Sequence, residues 1–157
     1  LAALLDRGAI AVAGQGTSAL LYATEEGRGA LTGVLDAMAT EAWADGVIVA
    51  EGLSARGHGA VQGVVAAVNM ARDPRPNAFG VAGQRWTVAE GGKPPAIGVG
   101  QHGGWGPDET RPFLFLDYPG LTRGVVDRPT SLVDIAPTIL RHLGLPSDGT
   151  DGRPVVT

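Results

Sequence analysis

Short apolar runs alternate with segments of helical spacing, separated by glycine- and proline-rich breaks, and this alternation constrains the fold more than any other feature of the chain. Ala9 to Ala13 reads as a strand, Gly14-Gln15-Gly16 as a turn and Ser18 to Ala23 as a second strand. Leu31, Val34, Leu35, Met38 and Ala42 recur at three- and four-residue spacing, which predicts an amphipathic helix from Gly29 to Trp43. Val47 to Ala50 reads as a short buried strand, and Val61, Val64, Val65 and Val68 carry helical spacing over Ala60 to Ala71. Asp73-Pro74-Arg75-Pro76 predicts an extended turn, since each proline removes a donor and pushes its predecessor out of the helical region. Arg85 to Ala89 and Ile97 to Val99 are candidate strands around a Gly91-Gly92-Lys93-Pro94-Pro95 loop. Alternation of this kind favours an α/β layer architecture.

Length and composition fit one domain. With 157 residues and 44% hydrophobic content the chain can bury a core. No apolar run approaches the ~18 residues of a membrane-spanning helix. A formal charge of −4, with Lys93 the one lysine, argues against binding to a nucleic-acid duplex. The absence of cysteine excludes disulfides and thiolate metal sites but leaves the compartment open. The chain opens on Leu1 rather than Met, directly in a helix-like Leu1-Ala2-Ala3-Leu4-Leu5 stretch ended by Gly8, and is expected to be a fragment.

One histidine stands in a chemically suggestive setting. Gln101-His102-Gly103-Gly104-Trp105-Gly106-Pro107-Asp108-Glu109-Thr110-Arg111-Pro112 puts His102 in a glycine-rich loop between two apolar runs that read as strands, the second being Phe113-Leu114-Phe115-Leu116. A neutral imidazole is a good zinc ligand, and the glycines after it let backbone and substrate approach closely. Further on, Ser131-Leu132-Val133-Asp134-Ile135-Ala136-Pro137-Thr138-Ile139-Leu140 runs into Leu143-Gly144-Leu145. Asp134 can accept from free amides at the start of this helix, Pro137 is tolerable only in an opening turn, and Gly144 suits a left-handed exit. Ile135, Ile139, Leu140 and Leu143 then share a face expected to pack on the sheet. His58 in Gly57-His58-Gly59 reads as a surface-loop residue, and His142 as a cation suited to a helix C-terminus.

In this order, the residues from Arg72 to Pro154 resemble the C-terminal portion of the type I phosphodiesterase/nucleotide pyrophosphatase family of the alkaline phosphatase superfamily. The resemblance implies an alkaline-phosphatase-like fold with a mostly parallel sheet flanked by helices, of which residues 1–157 would be the C-terminal part of a single catalytic domain. It implies that His102 ligates one of two divalent metals, usually zinc, in a hydrolase of phosphodiester or phosphoanhydride bonds. A small phosphorylated substrate and the upstream part of the same domain are the partners it implies. Gly103, Gly104, Asp108 and Thr110 are candidate pocket-shaping residues. The family's nucleophilic threonine and its Asp-x-x-x-His and Asp-His ligand motifs have no counterpart here, because Ser54, Gly98 and Thr138 precede the three histidines by four positions. No catalytic residue is therefore assigned, and the chain alone is expected to be inactive.

Other readings give way on sequence grounds. His102-Gly103-Gly104 also looks like the oxyanion loop of lipase-like esterases, but neither Ser131 nor Ser147 sits in the Gly-x-Ser-x-Gly elbow that fold requires. Gly14-Gln15-Gly16-Thr17-Ser18-Ala19, with Asp36 downstream, fits a dinucleotide-binding G-x-G-x-x-A, yet Leu20-Leu21-Tyr22 reads better as a returning strand than as a helix. A non-catalytic or degenerate structural module is the remaining alternative, and sulfatase or phosphonate hydrolase relatives share the same closing motifs.

Overall fold

The computed structural model describes residues 1–59, 62–89, 96, 98–125 and 127–155. They form two compact units, Leu1–Leu114 and Phe115–Thr157.

The first unit begins with α1 (Ala2–Asp6), β1 (Ile10–Gly14) and β2 (Ser18–Ala23). It continues through α2 (Glu25–Ala39), β3 (Ala44–Val49), α3 (Ala50–Ser54) and β4 (Val64–Met70). Short pieces follow: β5 (Arg72–Asp73), β6 (Gln84–Arg85) and α4 (Pro107–Thr110). The main sheet has four strands in the order β1-β2-β4-β3, and each neighbouring pair is antiparallel. β5 and β6 form a second antiparallel ladder.

This topology overturns the mostly parallel, alkaline-phosphatase-like sheet flanked by helices. The physical reason lies in two connections. The turn between β1 and β2 is too short for a crossover, so the strands must form a hairpin, with the Gln15 amide donating to the Ser18 carbonyl at 2.8 Å. α2 does carry the chain between two strands of like direction, as a crossover helix does, but β4 inserts antiparallel between β2 and β3. The alternating pattern registers the crossover and is blind to that insertion.

Antiparallel partners share a face of the sheet, so Leu21 lies with Val12 and Ala66, and Val68 with Ala19 and Val47. Val34 and Met38 of α2 join Ile10, Leu21, Ala66 and Val68 in the core, with Leu31 and Leu35 packed against it. α2 starts earlier than its apolar spacing predicts because Thr24 caps it, accepting from the Gly27 amide at 3.3 Å, and Glu25 and Glu26 suit the positive end of the helix dipole. It ends at Ala39, before Trp43.

Residues 64–70, expected to be helical, are a strand buried from Val65 to Met70. A short continuous apolar run fits either period, and its β-branched valines and its burial on both faces decide for the strand. Ala60 and Val61 of that expected helix lie outside the described residues, as do Glu90 to Pro95 and Ile97 of the predicted loop and strand. The predicted strand from Arg85 is reduced to β6, after which Trp86 and Val88 donate singly to the carbonyls of Ala71 and Gly16. Phe113–Leu116 forms no strand. Asp73 makes the expected turn, its carboxylate gripping the amide and guanidinium of Arg75, which lowers its pKa to about 2.

In the second unit a single 3-10 turn (Leu132–Asp134) leads into α5 (Ile135–His142). Asp134 is buried, and its carboxylate accepts from the amides of Ser131 and Arg153, both at 3.0 Å. Those amides, that of Arg153 first, hold its pKa below the ordinary 3.8. Thr138 donates to the Asp134 carbonyl and accepts from the Val155 amide, while Arg128 reaches the carbonyls of Pro154 and Val155. Pro137 and Thr138 are buried, Thr138 beside the segment at Val155, whereas Ile139 and Leu143 of the predicted sheet-facing stripe are exposed. Gly144 exits with a left-handed φ of 68°, as its position suggests.

Candidate functional site

The glycine loop docks on the end of the sheet where β2 begins and β4 finishes. Ser18 and Asn69 are register partners there, both buried on the face opposite α2. Their polar groups are satisfied by the loop: Ser18 Oγ donates to the Gly103 carbonyl at 2.6 Å, and Asn69 Oδ1 accepts from the Trp105 amide at 2.9 Å. The Thr17 amide donates to the His102 carbonyl at 3.2 Å. The backbone of His102 to Trp105 is thus fixed against the hairpin while the His102 side chain stays exposed.

Two glycines make that approach possible. Gly103 has φ 106°, and an added Cβ would overlap the Gln15 carbonyl. A Cβ on Gly104 would press on the Glu109 carboxylate and on Asn69 Oδ1. Both residues thus shape the loop, with the close approach made to the chain's own backbone and side chains.

Beneath the loop lies a buried ion pair. Glu109, carried on α4, approaches Arg85 at 2.9 Å between Oε2 and Nε, with the side chains 10% and 6% exposed. Glu109 Oε1 accepts from the Gly104 amide at 3.0 Å and from the Thr17 hydroxyl. Arg85 Nη1 donates to the Met70 carbonyl at 2.7 Å. The facing Nε and Oε2 are not aligned for a hydrogen bond, so among the described residues these two atoms and Arg85 Nη2 are held by charge and packing alone. An open cavity of about 440 Å³ adjoins the pair, with Thr17, Phe79, Arg85, Gln101, Asp108 and Glu109 in its wall.

The other candidates have structural partners. Asp108 lines the cavity and pairs with Arg72 at 2.6 Å, while Thr110 Oγ1 donates to the Gly106 carbonyl at 3.0 Å within α4. His58 is exposed, its amide closing α3 onto the Leu53 carbonyl at 3.1 Å. His142 is exposed at the end of α5, its ring 4.5 Å from that of Tyr118.

These residues do not fit a complete metal centre. A catalytic zinc takes three protein ligands and an open position. Among the described residues no three His, Cys, Asp or Glu side chains come together, and Asp108 and Glu109 are committed to arginines. The donor chemistry is that of one imidazole.

The rival readings are tested by the same geometry. Ser18–Ala23 is a strand, so Gly14-Gln15-Gly16 opens no helix on which a pyrophosphate would sit. The amides of Gly104 and Trp105 are spent on Glu109 and Asn69, which removes them as oxyanion donors.

Thr17, Asn69, Arg85 and Glu109 escape sequence reasoning. Asn69 is the one with a readable signal, an amide closing an otherwise apolar run, and it becomes informative only once residues 64–70 are recognised as a strand. No family model, curated protein or solved structure matches this chain.

Proposed function

We propose that the chain is part of a metal-dependent hydrolase of phosphodiester or phosphoanhydride bonds, of the type I phosphodiesterase/nucleotide pyrophosphatase kind, and that His102 supplies one metal ligand. The observation that carries this reading is an exposed imidazole on a loop whose backbone is tied to the sheet by Thr17, Ser18 and Asn69. A ligand must be held in place while its ring stays open to an ion, and a fixed backbone under an accessible side chain meets both requirements. The nucleophile and the remaining ligands lie outside residues 1–157 in this reading, and divalent metal, two zinc ions in the family resembled, would supply Lewis-acid chemistry when bound.

A degenerate structural module is the second reading, favoured by the engagement of Asp108 and Glu109 with arginines. The full-length protein is expected to hydrolyse a chromogenic phosphodiester in a zinc-dependent manner, and residues 1–157 alone are expected to show no turnover. A full-length protein that binds zinc no better than its His102→Ala variant, and has no zinc-dependent rate, refutes the first reading in favour of the second. Zinc-dependent turnover by this chain alone contradicts the placement of the nucleophile elsewhere.

A further inference from the structure

We propose that β1 is an interaction edge and that its partner is the β1 of a second copy of this chain, added antiparallel across a two-fold axis at Val12. β1 ends the order β1-β2-β4-β3 and pairs with β2 through five consecutive residues without a bulge. On its outer side, none of the described residues makes a backbone hydrogen bond to Ile10–Gly14. An open row of amides and carbonyls is a template for another strand, and proteins normally block it with charge, proline, a bulge or a covering element. Ile10-Ala11-Val12-Ala13-Gly14 contains neither a charged residue nor a proline.

The other edge of the same sheet is blocked. β3 carries Asp45 and Gly46 at a register irregularity between Ala44 and Val47, Gly46 has φ 106°, and α3 turns back to pack against the strand. Two edges of one sheet thus receive opposite treatment, and the difference singles out β1 as the edge open to a strand.

Charge and symmetry select the occupant. With Val12 on the axis, Ile10 of one copy faces Gly14 of the other and Ala11 faces Ala13, so a single surface makes every contact twice. The charged flank of each strand, Asp6 and Arg7 with the Glu26 that pairs with Arg7 at 3.0 Å, then meets the uncharged Gln15-Gly16-Thr17 turn of the other copy. Parallel alignment would set Arg7 against Arg7 and Asp6 against Asp6. Val12 is exposed on the face that carries α2, where it borders an open apolar cavity of about 260 Å³ lined also by Met38, Trp43 and Trp86. A second Val12 beside it extends that apolar surface and shields it from water. A strand of five residues is only ~17 Å long, which places the contact at the weak end of specific interfaces, below the ~1,200 Å² of a standard one. The dimer is therefore concentration-dependent, with a dissociation constant on the order of 10–100 μM.

Sedimentation equilibrium across that range should show monomer and dimer in exchange, with no larger species. Val12→Lys sets two like charges together on the axis and should weaken the dimer ~10-fold or more, whereas Val49→Lys, at an exposed position ending β3, should leave it within about twofold of the parent chain. Should Val12→Lys fail to fold, Val12→Cys provides a second test, since the chain has no other cysteine. Cβ atoms directly opposite in an antiparallel pair lie ~4.5–5.5 Å apart, so a short bifunctional thiol reagent should link Val12→Cys into a covalent dimer and leave Val49→Cys unlinked. A monomer at every concentration overturns the proposal. So does a dimer that Val12→Lys leaves intact, that Val49→Lys weakens equally, or that the reagent fails to join through Val12→Cys. Species that grow beyond the dimer with concentration also overturn it, because a two-fold pair uses up both open edges.

Discussion

Replacing Glu109 by alanine should be among the most destabilising single changes in the first unit. The side chains of Arg85 and Glu109 are 6% and 10% exposed, so truncation leaves a guanidinium enclosed with Met70 as its remaining acceptor. Breaking one side of a buried pair costs about 3–5 kcal/mol, because the surviving charge is neither hydrated nor compensated. Gly104 and Thr17 lose their acceptor as well, at about 1–3 kcal/mol for each donor that stays dry. The space vacated by four heavy atoms admits water to those donors, so the charge sets the total, about 4 kcal/mol against the 5–15 kcal/mol of a typical domain. Urea denaturation followed by circular dichroism measures it. The pair itself contributes little beyond what an apolar filling would, so Arg85→Met combined with Glu109→Met should cost less than Glu109→Ala alone, about 1–2 kcal/mol. A Glu109→Ala loss under 1 kcal/mol, or a double variant less stable than the single one, would refute the description of this pair as buried and mutually dependent.

Gly103→Ala should cost at least about 2 kcal/mol and release the loop, since φ 106° and the nearby Gln15 carbonyl both exclude a Cβ; an unchanged melting temperature contradicts this. Leu21→Ala, at a fully buried position on the central strand β2, should cost about 3–4 kcal/mol by denaturant unfolding, and a loss under 1 kcal/mol would show that the core is not where it is described. Asp134 predicts an acid response in the second unit. Its native pKa lies below the ordinary 3.8, so its stabilising contribution is present in full above that value and is lost as pH falls through the native one. The stability gap between the parent chain and Asp134→Asn should accordingly be constant near neutrality and shrink below about pH 4, and a gap that widens with acid reverses the sign of the argument.

What sequence could tell depended on how far apart the determinants lie. The hairpin of β1 and β2, the helix around Val34 and Met38, and the left-handed exit at Gly144 are local consequences of turn chemistry and periodicity, and each was legible. Strand direction was not, because nothing near β4 records that it inserts between β2 and β3. Its β-branched valines favour a strand, but burial on both faces erased the alternation that marks one, so the run also fits a helical period. The site divides in the same way. His102, Gly103 and Gly104 form a contiguous signal, whereas Glu109 meets Thr17 and Arg85 only through the fold. The sequence reads Asp134 as a cap that accepts from the first free amides of the helix; its side chain caps no amide of α5 and accepts instead from Ser131 and Arg153, the latter a contact that the helix sequence does not encode.

Zinc affinity of the full-length protein, measured by chelator competition on His102→Ala, His58→Ala and His142→Ala side by side, tests the central claim most directly. His102→Ala should lose on the order of 100-fold or more in affinity, with the fold retained, because the proposed ligand is removed from a loop whose backbone anchors do not involve the imidazole. His58→Ala and His142→Ala should stay within a few fold, since one imidazole lies in the turn that closes α3 and the other packs on Tyr118. A His102→Ala protein that keeps its zinc while His58→Ala loses it would contradict the assignment of the glycine-rich loop as the metal-bearing element.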